Sequence, residues 1–288
     1  MRQTTQAMEP DLSASTPPPP QVQFTTVDRL FQDIDKVSGD TIHAHGVSIE
    51  DFTRINEARR RKFRFRRFYA ARRLLIIAIP TTTHEVLQAT LYDETIASIL
   101  GMDLRMHWGT YGATLHRAAN GDAAEADSSG VPALQRPGPN PWPSLVIEAG
   151  HMQSLQAMRN DMRWWFTASD HQVKIVLLAK VEIAQRLVIL EKYQEAADVS
   201  AQRPGAASTR ASSAVRPYLD QAVHIAWAAG TTEIFDKSSF RITSRGSPLR
   251  LDFEQLFQRE PAGPGEHDIV IRIEELQIYA WKVWRTVQ

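Results

Sequence analysis

The sequence predicts an α/β fold, a mixed sheet flanked by helices, and three observations lead there. First, "RLLIIAIP" (Arg73–Pro80) and "VKIVLLAKV" (Val173–Val181) are short apolar runs, the former rich in isoleucine and ended by proline, as buried strands are. Second, Thr81–Leu100 and His151–Ala168 read as helices. A threonine caps the first, which stops at Gly101. The second sets Met152, Leu155, Met158, Met162, Trp165 and Phe166 at steps of three and four. Third, strands and helices interleave along the chain instead of falling into separate blocks.

The remaining elements follow in order. Residues 1–24 are rich in Pro, Thr, Ser and Gln, with Pro17–Pro20 in a row, and read as a disordered tail. Residues 25–70 read as a helical, basic segment. It holds a short helix over Val27–Asp35 and a longer one from Ser48 to about Tyr69, with Glu50 and Asp51 in its first turn. Residues 71–288 read as one α/β domain with a C-terminal extension of strands. Within it "DLRMHWG" and "GATLHR" alternate weakly and suggest two strands with a turn between. Residues 117–143 are loop-like, with a short strand before Asp127. Leu145–Ala149 is a strand, and Arg186–Tyr193 is the hairpin or edge partner of Val173–Val181. Residues 195–214 suggest a flexible loop, Pro217–Leu251 two or three strands, Glu260–Glu266 a Pro/Gly loop, and Glu274–Val287 a closing helix.

Composition removes several function classes. The 33 basic and 33 acidic residues cancel, so no global field draws the chain to nucleic acid or membrane. Cysteine is absent, which excludes disulfides and thiolate chemistry. No apolar run approaches the roughly 18–20 residues of a membrane span, and no signal-peptide core stands at the N-terminus. The expectation is an intracellular protein, cytoplasmic or nuclear, with no membrane partner. A P-loop is lacking, His43 and His45 have no second ligand pair nearby, and no motif marks Ser154 or Ser169 as a nucleophile. Of Trp164 and Trp165, adjacent in the chain, one is expected in the core.

Chemistry concentrates around "SLVIEAG" (Ser144–Gly150), where a buried-looking strand ends in Glu148. A helix-capping carboxylate, a structural ion pair and a metal ligand all explain such a residue. "AEADSS" (Ala124–Ser129) offers Asp127 in a similar setting. If adjacent strands bring both acids to one sheet edge, their repulsion raises one pKa or demands a cation, and Mg²⁺ suits two carboxylates. Bound there, it can activate water and stabilise a phosphodiester transition state.

The segment "EADSS … WPSLVIEAGHMQSLQAMRNDMRWWFTASDHQVKIVLLAKV" (Glu125–Val181) resembles the core of the PD-(D/E)xK, restriction-endonuclease-like superfamily, and in particular a group of uncharacterised fungal proteins with that core. "PTTTHE" (Pro80–Glu85) and "LRLDFEQLF" (Leu249–Phe257) extend the likeness. The resemblance implies a restriction-endonuclease-like fold and Mg²⁺- or Mn²⁺-dependent phosphodiester hydrolysis. Asp127 and Glu148 would be the catalytic acids and metal ligands, with Glu85 a third metal ligand. The superfamily pattern has lysine two residues after the glutamate, where this chain has Gly150. Lys174 is the expected catalytic substitute, with Arg159 and Arg163 as further cations. Without that lysine, a non-catalytic nucleic-acid- or protein-binding module on the same fold is the alternative.

The run "ARRRKFRFRRFYAARR" (Ala58–Arg73) supplies the candidate nucleic-acid contacts Arg59, Arg60, Arg61, Lys62, Arg64, Arg66 and Arg67, interleaved with Phe63, Phe65, Phe68 and Tyr69. A helix is expected here, although "KFRFR" alternates as a strand with an arginine face would. A solvated amphipathic face whose arginines pair with acids elsewhere, or a nuclear-targeting signal, would have the same composition.

Overall fold

The computed structural model describes residues 18–59, 63–197, 215–228, 234–245 and 248–287. The expectations for residues 1–17, for Arg60, Arg61 and Lys62, and for 198–214 lie outside the described residues. The architecture is α/β, with two mixed sheets flanked by helices and a small C-terminal strand pair.

The first sheet is built mainly from the N-terminal third. Its strands are β1 (Gln21–Gln23), β2 (Thr41–His45), β3 (Arg64–Tyr69), β4 (Leu74–Ala78), β6 (Leu115–Arg117) and β7 (Ala123–Glu125), in the order β1-β2-β4-β3-β7-β6. Helices α1 (Val27–Ile34) and α2 (Ile49–Ala58) pack on it through Leu30, Ile34, Phe52 and Ile55. Ser48 caps α2 in a reciprocal box with Asp51.

That helix ends at Ala58, so the expected continuation to Tyr69 is corrected: Arg64–Tyr69 is a strand. Sheet pairing decides it: the segment lies between β4 and β7 in the first sheet. Phe65 and Phe68 bury against Phe52, with ring centroids 4.8 and 4.3 Å away. A register shift against β4 leaves Arg66 as an extra residue between Phe65 and Arg67. Such a bulge re-aims side chains, and here both Arg66 and Arg67 are buried. The short alternating strand "TIHAH" was not expected, and it places His43 and His45 in β2 instead of a loop.

The second sheet contains β5 (Trp108–Thr110), β8 (Ser128–Pro132), β9 (Leu145–Gly150), β10 (Ile175–Glu182), β11 (Leu187–Ala197), β12 (Val215–Trp227) and β13 (Phe240–Arg245), in the order β13-β12-β11-β10-β9-β8-β5. Strands β9 and β10 are parallel, linked by α4 (Leu155–Ala168), and the other pairs are antiparallel. One face of β9–β10 (Leu145, Ile147, Ile175, Leu177) shares a core with α3 (Thr82–Gly101) and α6 (Ile273–Trp284). The other (Val146, Val176, Leu178) meets Met158, Met162, Trp165 and Phe166 of α4. Ser154 caps α4, so it starts four residues later than expected.

The pair β14 (Leu249–Leu251) and β15 (Ile269–Ile271), joined through α5 (Phe253–Phe257), closes the core. The two weakly alternating segments form β5 and β6, but in different sheets. Between β7 and β8 the chain crosses from the first sheet to the second, and Asp127 sits at that corner.

Candidate active site

The antiparallel register of β8 on β9 pairs Ser128 with Ile147, so one step further Asp127 comes level with Glu148. Two acids 21 positions apart thus come level at neighbouring inner strands of the second sheet. Both are buried. Asp127 is bound from several sides. Its Oδ1 accepts from Arg64 Nη1 at 3.0 Å, and its Oδ2 accepts the Ala149 N–H at 2.7 Å. His84 Nε2 lies 3.2 Å from Oδ2. Burial would raise this carboxyl; His84, Arg66 and Arg64 outweigh it and hold Asp127 well below the usual carboxylate range.

Glu148 goes the other way. Burial first, then the charge on Asp127, pushes its carboxyl well above the usual range. Its Oε1 accepts from Trp165 Nε1 at 2.5 Å. The glutamate is therefore a buried acceptor for α4, on a strand whose other residues are apolar or small.

Glu85 stands in the first turn of α3, and Arg64 ties it to Asp127. Arg64 Nη2 donates to Glu85 Oε1 at 2.7 Å while Nη1 holds Asp127. Gln88 Nε2 donates to the other Glu85 oxygen, also at 2.7 Å. Behind this bridge, the buried Arg66 donates to the Ala149 carbonyl at 3.1 Å. Its guanidinium is kept charged against burial by Asp127, Asp161, Glu148 and Asp40. Arg67 donates to Asp161 Oδ1 at 3.2 Å and stacks 3.8 Å over the Trp164 ring. Arg59 forms an ion pair with Glu125, which also accepts the Phe65 N–H at 2.9 Å.

The arginine face of β3 is thus turned inward. Arg59, Arg64, Arg66 and Arg67 each hold an acid or carbonyl of the protein, and Arg66 and Arg67 present no guanidinium to a surface ligand. Among the described residues, the exposed remainder of the basic run is Arg72 and Arg73, at the β3–β4 turn.

Lys174 does not join the acids. It precedes β10, and its Nζ donates to the His171 carbonyl at 2.8 Å. The β9–β10 register sets Leu178 beside Glu148, so Lys174 stands four residues, roughly 13 Å, down the strand. Arg159 is paired with Glu191, and Arg163 donates to Asn160. The lysine nearest to Gly150 is one that the sequence did not single out. Lys180 lies directly beside Gly150 in the parallel ladder. It is buried, and its Nζ donates to the carbonyls of His151 (2.8 Å) and Val181 (2.7 Å) and pairs with Glu182 (3.2 Å).

Asp161 and Trp165 were also missed as partners of the acids and arginines. Both lie in the helical stretch "NDMRWW", and their spacing puts them on the buried face of α4. A strand with bulky rings on one side and arginines on the other implies acids waiting elsewhere; the sequence does not say which.

No protein-family model matches the chain, and no curated protein is similar to it. Among solved structures, one described as "a putative nuclease belonging to DUF820" from Anabaena variabilis ATCC 29413 is similar at 9% identity and a TM-score of 0.41. The likeness covers 81% of this chain and 99% of that one. A likeness at this level carries no function across.

The superfamily named above implies a divalent metal, and the residues present do not fit one. Mg²⁺ needs carboxylate oxygens free to complete a near-octahedral shell. Both oxygens of Asp127 accept from protein donors, and both oxygens of Glu85 do likewise. Among the described residues no three His, Cys, Asp or Glu side chains converge as a metal cage. No helix among them is long and apolar enough to cross a membrane.

Proposed function

We propose that this chain is a restriction-endonuclease-like domain that binds nucleic acid without hydrolysing it. The observation that carries this reading is the commitment of Asp127 to Arg64 and to the Ala149 N–H, which gives both of its oxygens a protein donor. Binding in place of chemistry is further supported by Gly150, where the superfamily's lysine is absent. The contact surface is the β3–β4 turn. Exposed Arg72 and Arg73 stand there, and exposed Arg117 lies level with Phe68 two strands away. Cations on one end of a sheet suit a phosphate backbone, with affinity that falls steeply with salt.

The test is fluorescence anisotropy with labelled single- and double-stranded DNA and RNA over a salt series, run beside a cleavage assay with Mg²⁺ or Mn²⁺. Salt-sensitive binding, weakened in an Arg72→Ala/Arg73→Ala/Arg117→Ala variant and with no cleavage, is the expected result. Absence of binding to every substrate would sink the proposal. A hydrolytic reading has one observation in its favour, the split of the pair into an ionised Asp127 and a neutral Glu148, as an acid–base couple requires. Cleavage lost in Asp127→Ala/Glu148→Ala would establish it instead.

A further inference from the structure

The four acids around Arg66 and the Glu85–Asp127 pair bridged by Arg64 form one charge network at the seam between the two sheets. A cluster of carboxylates this buried is stable only if something positive sits among them. In metal-dependent sites of paired acids that charge is an ion. We propose that in this protein the resident cation of the acidic site is the Arg64 guanidinium, which spans Asp127 and Glu85 in the place a divalent ion would take, with Arg66 neutralising the acids behind it. The inference deepens the non-hydrolytic reading above and rests on the same geometry of Asp127.

Three features single out Arg64. Its two Nη atoms reach the two acids separately, at 3.0 and 2.7 Å, so it is a bridge and not a simple pair. It is the partly exposed cation of the network: its side chain retains 17% of its surface, and the Glu85 side chain 42%, against 4% and 0% for Arg66 and Arg67. The bridge is therefore the side of this network nearest to solvent. Finally, the Nη1 that holds the Asp127 carboxylate also lies 3.4 Å from the Asp127 backbone carbonyl, which accepts from it. A planar fork fits two carboxylates as a compact ammonium does not, so lysine is a poor replacement.

The experiment is thermal unfolding of the purified chain, without nucleic acid, in MnCl₂ or MgCl₂ against NaCl at equal ionic strength. Wild-type Tm is expected to be indifferent to millimolar Mn²⁺ or Mg²⁺, and a wild-type Tm raised by several degrees overturns the assignment. Arg64→Ala is expected to melt lower and to regain part of the loss in millimolar Mn²⁺, an effect that disappears when Glu85→Gln is added. An Arg64→Ala protein that folds and ignores Mn²⁺ also overturns it. Should that variant not fold, Arg64→Lys carries the test: a lowered Tm that Mn²⁺ raises supports the bridge, and an Arg64→Lys protein that melts as wild type does and ignores Mn²⁺ refutes it. Because no nucleic acid is present, failure of the binding proposal leaves this result standing, and Mn²⁺ binding without cleavage would reject the bridge alone.

Discussion

Gly150 and Lys180 lie side by side on parallel strands, and a Cβ built on Gly150 would come 3.3 Å from Lys180 Cδ. The same Cβ would overlap Met158 Sδ and stand 3.1 Å from its Cε. The space at position 150, where the sequence resemblance implies a lysine, is therefore filled by its neighbours. One of them is itself a lysine, whose charge is spent on the His151 and Val181 carbonyls and on Glu182.

A side chain at position 150 must displace the buried Met158. Gly150→Ala is expected to destabilise by about 1–3 kcal/mol through overpacking. In a urea-denaturation cycle with Met158→Ala, the two changes should couple favourably, because the smaller residue makes room for the added methyl. Strict additivity would mean the crowding is not real. Restoring the motif with Gly150→Lys alone is expected to lower Tm further and to yield no cleavage.

Glu148 has a raised pKa, so its contribution to stability has a definite sign. Above its ordinary value of 4.5 the unfolded chain loses the proton that the folded chain retains, and stability falls as pH rises toward the folded pKa. Glu148→Gln removes that loss and keeps an oxygen for Trp165. Its Tm should equal wild type near pH 4 and exceed it increasingly from pH 5 to 8. A variant melting several degrees below wild type at pH 8 would show that the carboxylate itself is needed there.

Asp161 is the partner of the fully buried Arg67 and lies 4.0 Å from Arg66. Asp161→Asn keeps the shape and removes the charge, leaving two buried guanidiniums undercompensated. The expected cost is about 3 kcal/mol or more, read from chemical denaturation. A loss comparable to that of an exposed ion pair would place the network's stabilisation elsewhere.

His116 is buried against Trp142, ring centroids 4.9 Å apart, and burial lowers its pKa from 6.5 to about 4. Between those values the unfolded chain binds a proton that the folded chain refuses, so stability drops as pH falls from 6.5 to 4. The loss attributable to this residue is at most about 3 kcal/mol. Measured as the difference between wild type and His116→Gln, the drop should vanish in the variant, and an unchanged pH profile would assign it to other groups.

The elements with strong periodicity were legible in the chain itself. Isoleucine-rich Leu74–Ala78, the apolar Ile175–Glu182 run, the capped helix from Thr82 and the C-terminal helix ending at Trp284 bury one face or both, and burial writes its period into the sequence. The α/β class follows from their order, and the nearness of Asp127 to Glu148 was legible as two acids at the ends of neighbouring strands.

What the acids are bound to was decided only by tertiary structure. Charge pairing has no period: Arg64 meets Asp127 across 63 positions and Arg67 meets Asp161 across 94, through a bulge at Arg66 that no residue type announces. The same arginines that read as a nucleic-acid grip are turned inward because Phe65 and Phe68 claim the opposite face of β3. A local pattern fixes which residues leave water, but which charge waits for them depends on how the two sheets meet.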